Sequence, residues 1–476
     1  MGLLFFTIRV FGSDALNGGS QVVLLTATAV CCLIGLFCCR VPWEAIEKAI
    51  VGNITGVATA LLILLLIGAL AGSWMVSGVV PTLIYYGMKI IHPSVYLFST
   101  CLICCMVSLI TGSSWTTIAT IGIALLGIGE AQGFDRGWIA GAIISGAYFG
   151  DKVSPLSDTT ILASSVVDTP VFTHIRYLMI TTVPSMAVTL LIFLAAGFLH
   201  EAPAVERMEG YAASLEATFN ISPWLLLVPV ATGVLIARRT PATATLFLAA
   251  ALAGLFALFF QPSILHEIAG SEASGIASKF KGLLITFYGS TNIETGNAGL
   301  DDLVSTRGMG GMMNTVWLIL CAMSFGGAMS ACGMLGSIIR VLLRFMRRTA
   351  GMVASTVASG LFFNIATADQ YISIMLTGSM FKDIYRGKGY EGRLLGRTIE
   401  DSVTVTSPLI PWNTCGMTQS AILGVSTFTY LPYCFFNILS PMMSIVIAIT
   451  GYKIYRVYED AAPAVSSPSV TAGGKA

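Results

Sequence analysis

Eleven consecutive positions, Gly150-Asp151-Lys152-Val153-Ser154-Pro155-Leu156-Ser157-Asp158-Thr159-Thr160, follow an apolar run over 137–149. They hold three ionisable groups, four hydroxyls and a helix-breaking proline. Hydrocarbon cannot hydrogen-bond a freed backbone group, so such a break survives only inside protein or beside a water-filled cavity. Carboxylates at membrane depth are costly and usually mark an ion or proton path. A second stretch echoes it: Glu400-Asp401-Ser402-Val403-Thr404-Val405-Thr406-Ser407-Pro408-Leu409, continuing to Pro411-Trp412-Asn413-Thr414. The reading that follows is two breaks facing each other around a small cation.

The membrane premise rests on composition. The 476 residues are 55% hydrophobic and only 10% charged, where soluble domains carry about a quarter charged residues. The net charge of +1 gives no sign of nucleic-acid binding. The first apolar run starts near Gln21, after a head with Arg9 and Asp14, and reads as a span rather than a removed signal. Eleven cysteines lie mostly within apolar runs, and Cys101-x-x-Cys104 has no second ligand pair, so packing is expected of them rather than metal binding.

At about 20 residues per span, the chain reads as an all-α polytopic membrane protein of about 11–12 crossings or half-crossings. Expected spans include 21–39, 54–71, 72–91, 94–110, 177–198, 243–260, 312–331 and 430–450. Segments 41–53 and 333–348 are expected at the surface, with Arg340, Arg344, Arg347 and Arg348 on one side of the latter. The expected division is a first repeat with N-terminal spans (1–200), a polar connector (201–221), linking spans with an interfacial region (222–311), a second repeat (312–457) and a disordered tail (458–476).

The repeat rests on a shared spacing. Ser154-Pro155-Leu156 recurs as Ser407-Pro408-Leu409, and the same offset carries Ser114 onto Thr367 and Thr116 onto Asp369. Duplicated halves with interrupted helices at matching places point to a secondary transporter with its site between the halves, near the midplane. Inversion of the repeats is adopted, although it depends on the parity of crossings between them.

Cation and proton ligands are sought in the two breaks. Carboxylate oxygens bind either a proton or a metal cation, and that competition is the minimum chemistry of antiport. Asp151, Asp158 and Asp369 are the expected Na+ and proton ligands; Ser154, Ser157, Thr159, Thr406, Ser407 and Asn413 are the neutral ones. Asp158 also suits a helix N-cap. Lys152, Thr116 and Asp401 are secondary candidates. Lys152 either pairs with Asp151 when the site is empty or snorkels to the interface. Asp401 either joins the site or closes the basic loop before it. His174, beside Arg176 at a span's edge, is expected to be interfacial rather than a pH sensor. No zinc-protease, nucleophile-elbow or phosphate-loop motif is present, so no enzymatic activity and no cofactor are expected.

Three blocks closely resemble the NhaC family of sodium/proton antiporters: Thr111-Gly112-Ser113-Ser114-Trp115-Thr116-Thr117 and on to Gly122, Ala140 to Thr160, and Phe172-Thr173-His174-Ile175-Arg176. Thr367-Ala368-Asp369-Gln370-Tyr371 and Pro411-Trp412-Asn413-Thr414 agree. The resemblance implies a bacterial inner-membrane antiporter with Na+ and H+ as substrates; the bilayer and a second copy of the chain, in a homodimer, are the expected partners. The same pattern covers a malate/lactate exchanger. Where the family usually shows an asparagine after Asp-Thr-Thr and a methionine before Ser-Pro-Leu, this chain has Ile161 and Val153.

Overall fold

A computed structural model describes residues 18–199, 205–270, 275–296, 300–301, 304–335, 337 and 348–456. The expected tail, the head residues Arg9 and Asp14, and Arg340, Arg344 and Arg347 lie outside them. Among the described residues the regular structure is helical, apart from the isolated bridges Thr291 with Thr306 and Tyr390 with Arg456.

The first half contains α1 (Gly19–Phe37), α2 (Trp43–Gly56), α3 (Ala58–Val76), α4 (Val79–Ile90), α5 (Tyr96–Thr111), α6 (Ser114–Ala131), α7 (Arg136–Val153), α8 (Asp158–Val166) and α9 (Val171–Leu199). Next come α10 (Val205–Thr218), α11 (Leu227–Ala237), α12 (Ala242–Phe260), α13 (Pro262–Ala269) and α14 (Gly275–Tyr288). The second half contains α15 (Gly308–Ala331), α16 (Thr349–Thr367), α17 (Gln370–Gly387), α18 (Gly392–Ile399), α19 (Thr414–Leu423) and α20 (Phe435–Thr450).

Among the described residues, 8 helices are long and apolar enough to cross a membrane, or up to 10 if each of two bent pairs is one span. The protein is a multi-pass membrane protein. The sequence reading of 11–12 also counted half-crossings, and helices such as α8 and α18, at 9 and 8 residues, are too short to span alone. The apolar stretch over 72–91 is not one span. Gly78 adopts φ 84, a left-handed turn that ends α3 and starts α4. The polar connector is partly the helix α10, held to α4 by a hydrogen bond from the Tyr85 hydroxyl to Glu216.

The same chain reversal occurs in both halves. α5 ends at Gly112 (φ 67), and the Ser113 side chain then caps α6 by accepting from the Thr116 amide. α16 ends at Ala368 (φ 58), and Asp369 caps α17 by accepting from the Ile372 amide. A Cβ on Gly112 would lie 2.7 Å from the Leu156 backbone, so both conformation and space require glycine there. In this arrangement Ser113 matches Asp369. The offset read from the Ser-Pro-Leu tripeptides puts Thr116 there, three residues away, because α18 starts at Gly392 and reaches its Ser-Pro-Leu three residues sooner than α7, which starts at Arg136, reaches its own.

α5 and α7 pack along their lengths through small residues, as helices in lipid do when van der Waals contact must hold them. A Cβ at Gly146 would come within 2.3 Å of the Cys101 carbonyl oxygen, and one at Gly150 within 2.4 Å of the Leu109 amide. This close approach fixes the end of α7, and with it Asp151. Gly146→Ala is therefore expected to destabilise the protein by about 1–3 kcal/mol through overpacking, read as a lower unfolding midpoint in detergent.

Candidate functional site

Asp151 closes the last turn of α7 and is buried. One carboxylate oxygen accepts from the Ser114 hydroxyl at 2.6 Å and the other from Ser157 at 2.7 Å. Ser157 in turn shares a hydrogen bond of 2.8 Å with Thr159. Pro155 ends the helix, and Thr160 turns back to donate to the carbonyls of Asp151 and Lys152, which the break has freed. Ser157 is the N-cap residue of α8, although its side chain makes no capping bond, and Asp158 sits in the first helical turn.

In the second half, Asp369 is buried and accepts from the Ile372 amide at 2.9 Å and from the Thr414 hydroxyl at 3.1 Å. The Thr414 amide donates to the Ala368 carbonyl, tying the start of α19 to the reversal before α17.

These two sets face one cavity of about 650 Å3. Its wall includes Thr116, Asp151, Asp158 and Thr159 from the first half and Asp369, Gln370 and Thr414 from the second, with Arg239 and Thr240 from the turn between α11 and α12. The N-termini of α6, α8, α17 and α19 all contribute to it. Helix N-termini carry partial positive charge, and four of them turn toward this one cavity.

Other residues singled out from the sequence stand behind this wall. Ser154 donates to the Leu109 carbonyl at 2.9 Å and so ties the break to α5. Thr406 donates to the Ser402 carbonyl and accepts from Asn364 at 3.1 Å. Ser407 donates to Gln370 at 2.7 Å, placing the amide that does reach the cavity. Asn413 caps α19 by accepting from the Cys415 amide and donates to the Asn364 carbonyl at 3.1 Å.

Lys152 neither pairs with Asp151 nor snorkels to the interface. It turns the other way, fully buried, to form an ion pair with Asp401 and to donate to Ser440 at 2.9 Å. Asp401 also accepts from Thr181 and Ser440, and it is buried rather than interfacial. Sequence reasoning passed over Ser114, Gln370 and Thr414. Each lies within a polar knot, Ser114 two residues from Thr116, Gln370 next to Asp369 and Thr414 next to Asn413.

A second cavity, of about 640 Å3, shares two walls with the first but touches their other ends. On α3 the first cavity meets Thr59, Ala60 and Ile63, and the second meets Gly68, Ala71 and Met75. On α19 the first meets Thr414 and the second Met417 to Leu423. The fully buried Leu64 and Ile67 lie between them on α3.

Similarity to known proteins agrees with this architecture. The model of the Na+/H+ antiporter family matches residues 5–162 and 146–452. The Na+/H+ antiporter NhaC of Bacillus subtilis is 34% identical over 85% of this chain and 87% of its own. The NhaC of Alkalihalophilus pseudofirmus is 36% identical over 87% of each. A malate-2H+/Na+-lactate antiporter of Bacillus subtilis is 34% identical over 91% of this chain and 90% of its own. With a family profile covering nearly its whole length and such relatives, the chain belongs to the Na+/H+ antiporter family, with NhaC proteins among its relatives.

Proposed function

We propose that the protein exchanges Na+ for H+ across the bacterial inner membrane by alternating access. The observation that carries this reading is the meeting of two buried carboxylates, Asp151 and Asp369, at one cavity whose wall helices also line a second cavity at their other ends. Asp151, Asp369 and Asp158 exchange protons for the cation. Thr159 and Thr414 supply neutral oxygens, while Ser114 and Ser157 orient Asp151. The halves 1–200 and 312–457 act as two repeats, moving against each other about the breaks at Pro155 and Pro408. Sodium shifts the inward/outward equilibrium only through its different affinities for the two states. The thin partition at Leu64 and Ile67 is where those states differ.

Exchange of an organic acid coupled to sodium and protons is the second reading. Two observations favour it: a cavity far larger than one sodium ion requires, and Arg239 in its wall, a cation suited to a carboxylate.

Everted vesicles from antiporter-deficient cells, with a pH-sensitive dye, test both. Sodium chloride alone is expected to evoke proton flux in the wild type, and Asp151→Asn and Asp369→Asn to reduce it to background. A response that appears only with malate or lactate present would transfer the assignment to organic-acid exchange.

Competition for the same oxygens also has a sign. Protons leave the carboxylates as pH rises, so the half-saturating sodium concentration is expected to fall from acid to alkaline pH. Thr414→Val, which removes one hydrogen bond to a charged group, is expected to raise the half-saturating concentration about tenfold. Sodium-dependent flux measured over a pH series checks both.

A further inference from the structure

A second group of buried ionisable side chains lies behind the cavity, on the Lys152 side of α7. α18 continues into a π turn, Glu400–Thr404, which carries two consecutive acids into the interior; single π turns recur at functional sites. Lys152, His174, Arg397, Glu400 and Asp401 are each 0% exposed. Asp401 uses one oxygen for Lys152, Thr181 and Ser440. Its other oxygen, both oxygens of Glu400, all three Arg397 nitrogens and both His174 nitrogens have no hydrogen-bond partner among the described residues. Arg397 does have the face of Tyr177, 4.6 Å from the ring centre. His174 lies against Gly396, where a Cβ would come within 2.7 Å of its ring.

Buried charged groups left without partners cost several kcal/mol. So many in one place call for ordered water, which takes two to four polar partners per molecule. The group also continues toward the surface along its own helix. Arg393, Arg397 and Glu400 follow at positions i, i+4 and i+7, along one helix face. Arg393 sits against Tyr455 and pairs with Glu391, both partly exposed.

We propose that Glu400 is a proton-binding site in a hydrated chamber separate from the cation cavity, coupled to Asp151 through the Lys152–Asp401 pair. The inference rests on the sodium/proton reading above and adds a second carboxylate to it. Charge supplies the coupling. Lys152, Arg397, Asp401 and ionised Glu400 sum to zero; a proton on Glu400 leaves one positive charge beside the residue that follows Asp151. That charge opposes sodium at Asp151, so the two ions exclude each other without sharing oxygens. The elements around the Glu400 turn carry Lys152 on α7, His174 and Tyr177 on α9, Tyr385 on α17, and Arg397 and Asp401 on its own segment, while Asp151, Asp158 and Tyr371 line the cation cavity instead. α16 and α20 present none. Chains of buried acids and histidines are the usual material of proton relays in transporters.

The test is proton release on sodium binding to the purified, detergent-solubilised full chain, followed with a pH dye alongside calorimetry of binding. Wild type is expected to bind sodium and release protons. Glu400→Gln is expected to bind sodium and release about one proton fewer per ion, with a flatter pH dependence of binding. Glu400→Asp is expected to restore the release. Equal release and equal pH dependence in wild type and Glu400→Gln would overturn the proposal. Absence of sodium binding in the wild type would instead overturn the function on which it rests. An independent measurement needs no variant: a hydrophobic carbodiimide, which modifies protonated carboxyl groups, is expected to label Glu400 in wild type, with sodium suppressing the label. Labelling that ignores sodium, or spares Glu400 at all pH values, would also overturn it.

Discussion

The interior of a bilayer supplies no hydrogen bonds, and every irregular feature of this chain answers to that fact. Ending α7 at Pro155 frees the carbonyls of Asp151 and Lys152, and Thr160 takes both. Ending α16 at Ala368 leaves a carbonyl that the Thr414 amide satisfies from the next break. The hydroxyl-rich composition of the breaks is therefore structural before it is functional. Ser154, Thr406 and Asn413 hold backbone, while only the residues left over, with Asp151 and Asp369 at their centre, face the cavity. Replacing water by fixed protein dipoles is what allows ionisable groups to sit at this depth.

The halves solve the same problem with different chemistry. After the left-handed residue, one uses a serine and the other an aspartate to cap the next helix. The first half then brings its carboxylate from α7 and has Ser114 orient it; the second has the carboxylate on the capping residue itself and lets Thr414 orient it. Two acids of different origin thus meet at one place with comparable surroundings. An arrangement built by duplication would keep the reversals, which set the backbone path, and let the position of the acid drift.

Much of this was legible from residue order. Apolar runs located most of the spans, and the break at Ser154-Pro155-Leu156 with the polar reversal at Asp369 marked the cavity wall, because these signals are local and their physics acts within one segment. The rest depended on direction. Asp151 and Lys152 are neighbours on a helix, so their side chains leave it about 100° apart. One faces the cavity and the other faces away, and no pattern within α7 says which. The partner of Lys152, Asp401, lies in the other half of the chain and becomes visible only once the halves are packed. Gly78 failed as a signal for a similar reason: among many glycines in apolar runs, only its φ marks it as a break. Of the expected neutral ligands, Thr159 lines the cavity, while Ser154, Thr406, Ser407 and Asn413 stand one or more residues behind its wall. Capping geometry, not residue type, decides whether Asn413 or Thr414 points inward.

The Lys152–Asp401 pair is poorly explained by stability. Removing two charges from water costs more than their attraction commonly returns, and apolar residues of similar volume often hold a core as well or better. This pair joins α7 of the first half to the π turn after α18 of the second, one residue from Asp151 on one side and one residue from Glu400 on the other. A connection that is expensive to bury and strongly dependent on the charges nearby responds to a proton or a cation arriving at either end. An apolar contact in the same place would hold the halves together and report nothing. On the coupling proposed above, the cost of the pair is the means by which one half of the molecule senses what the other has bound.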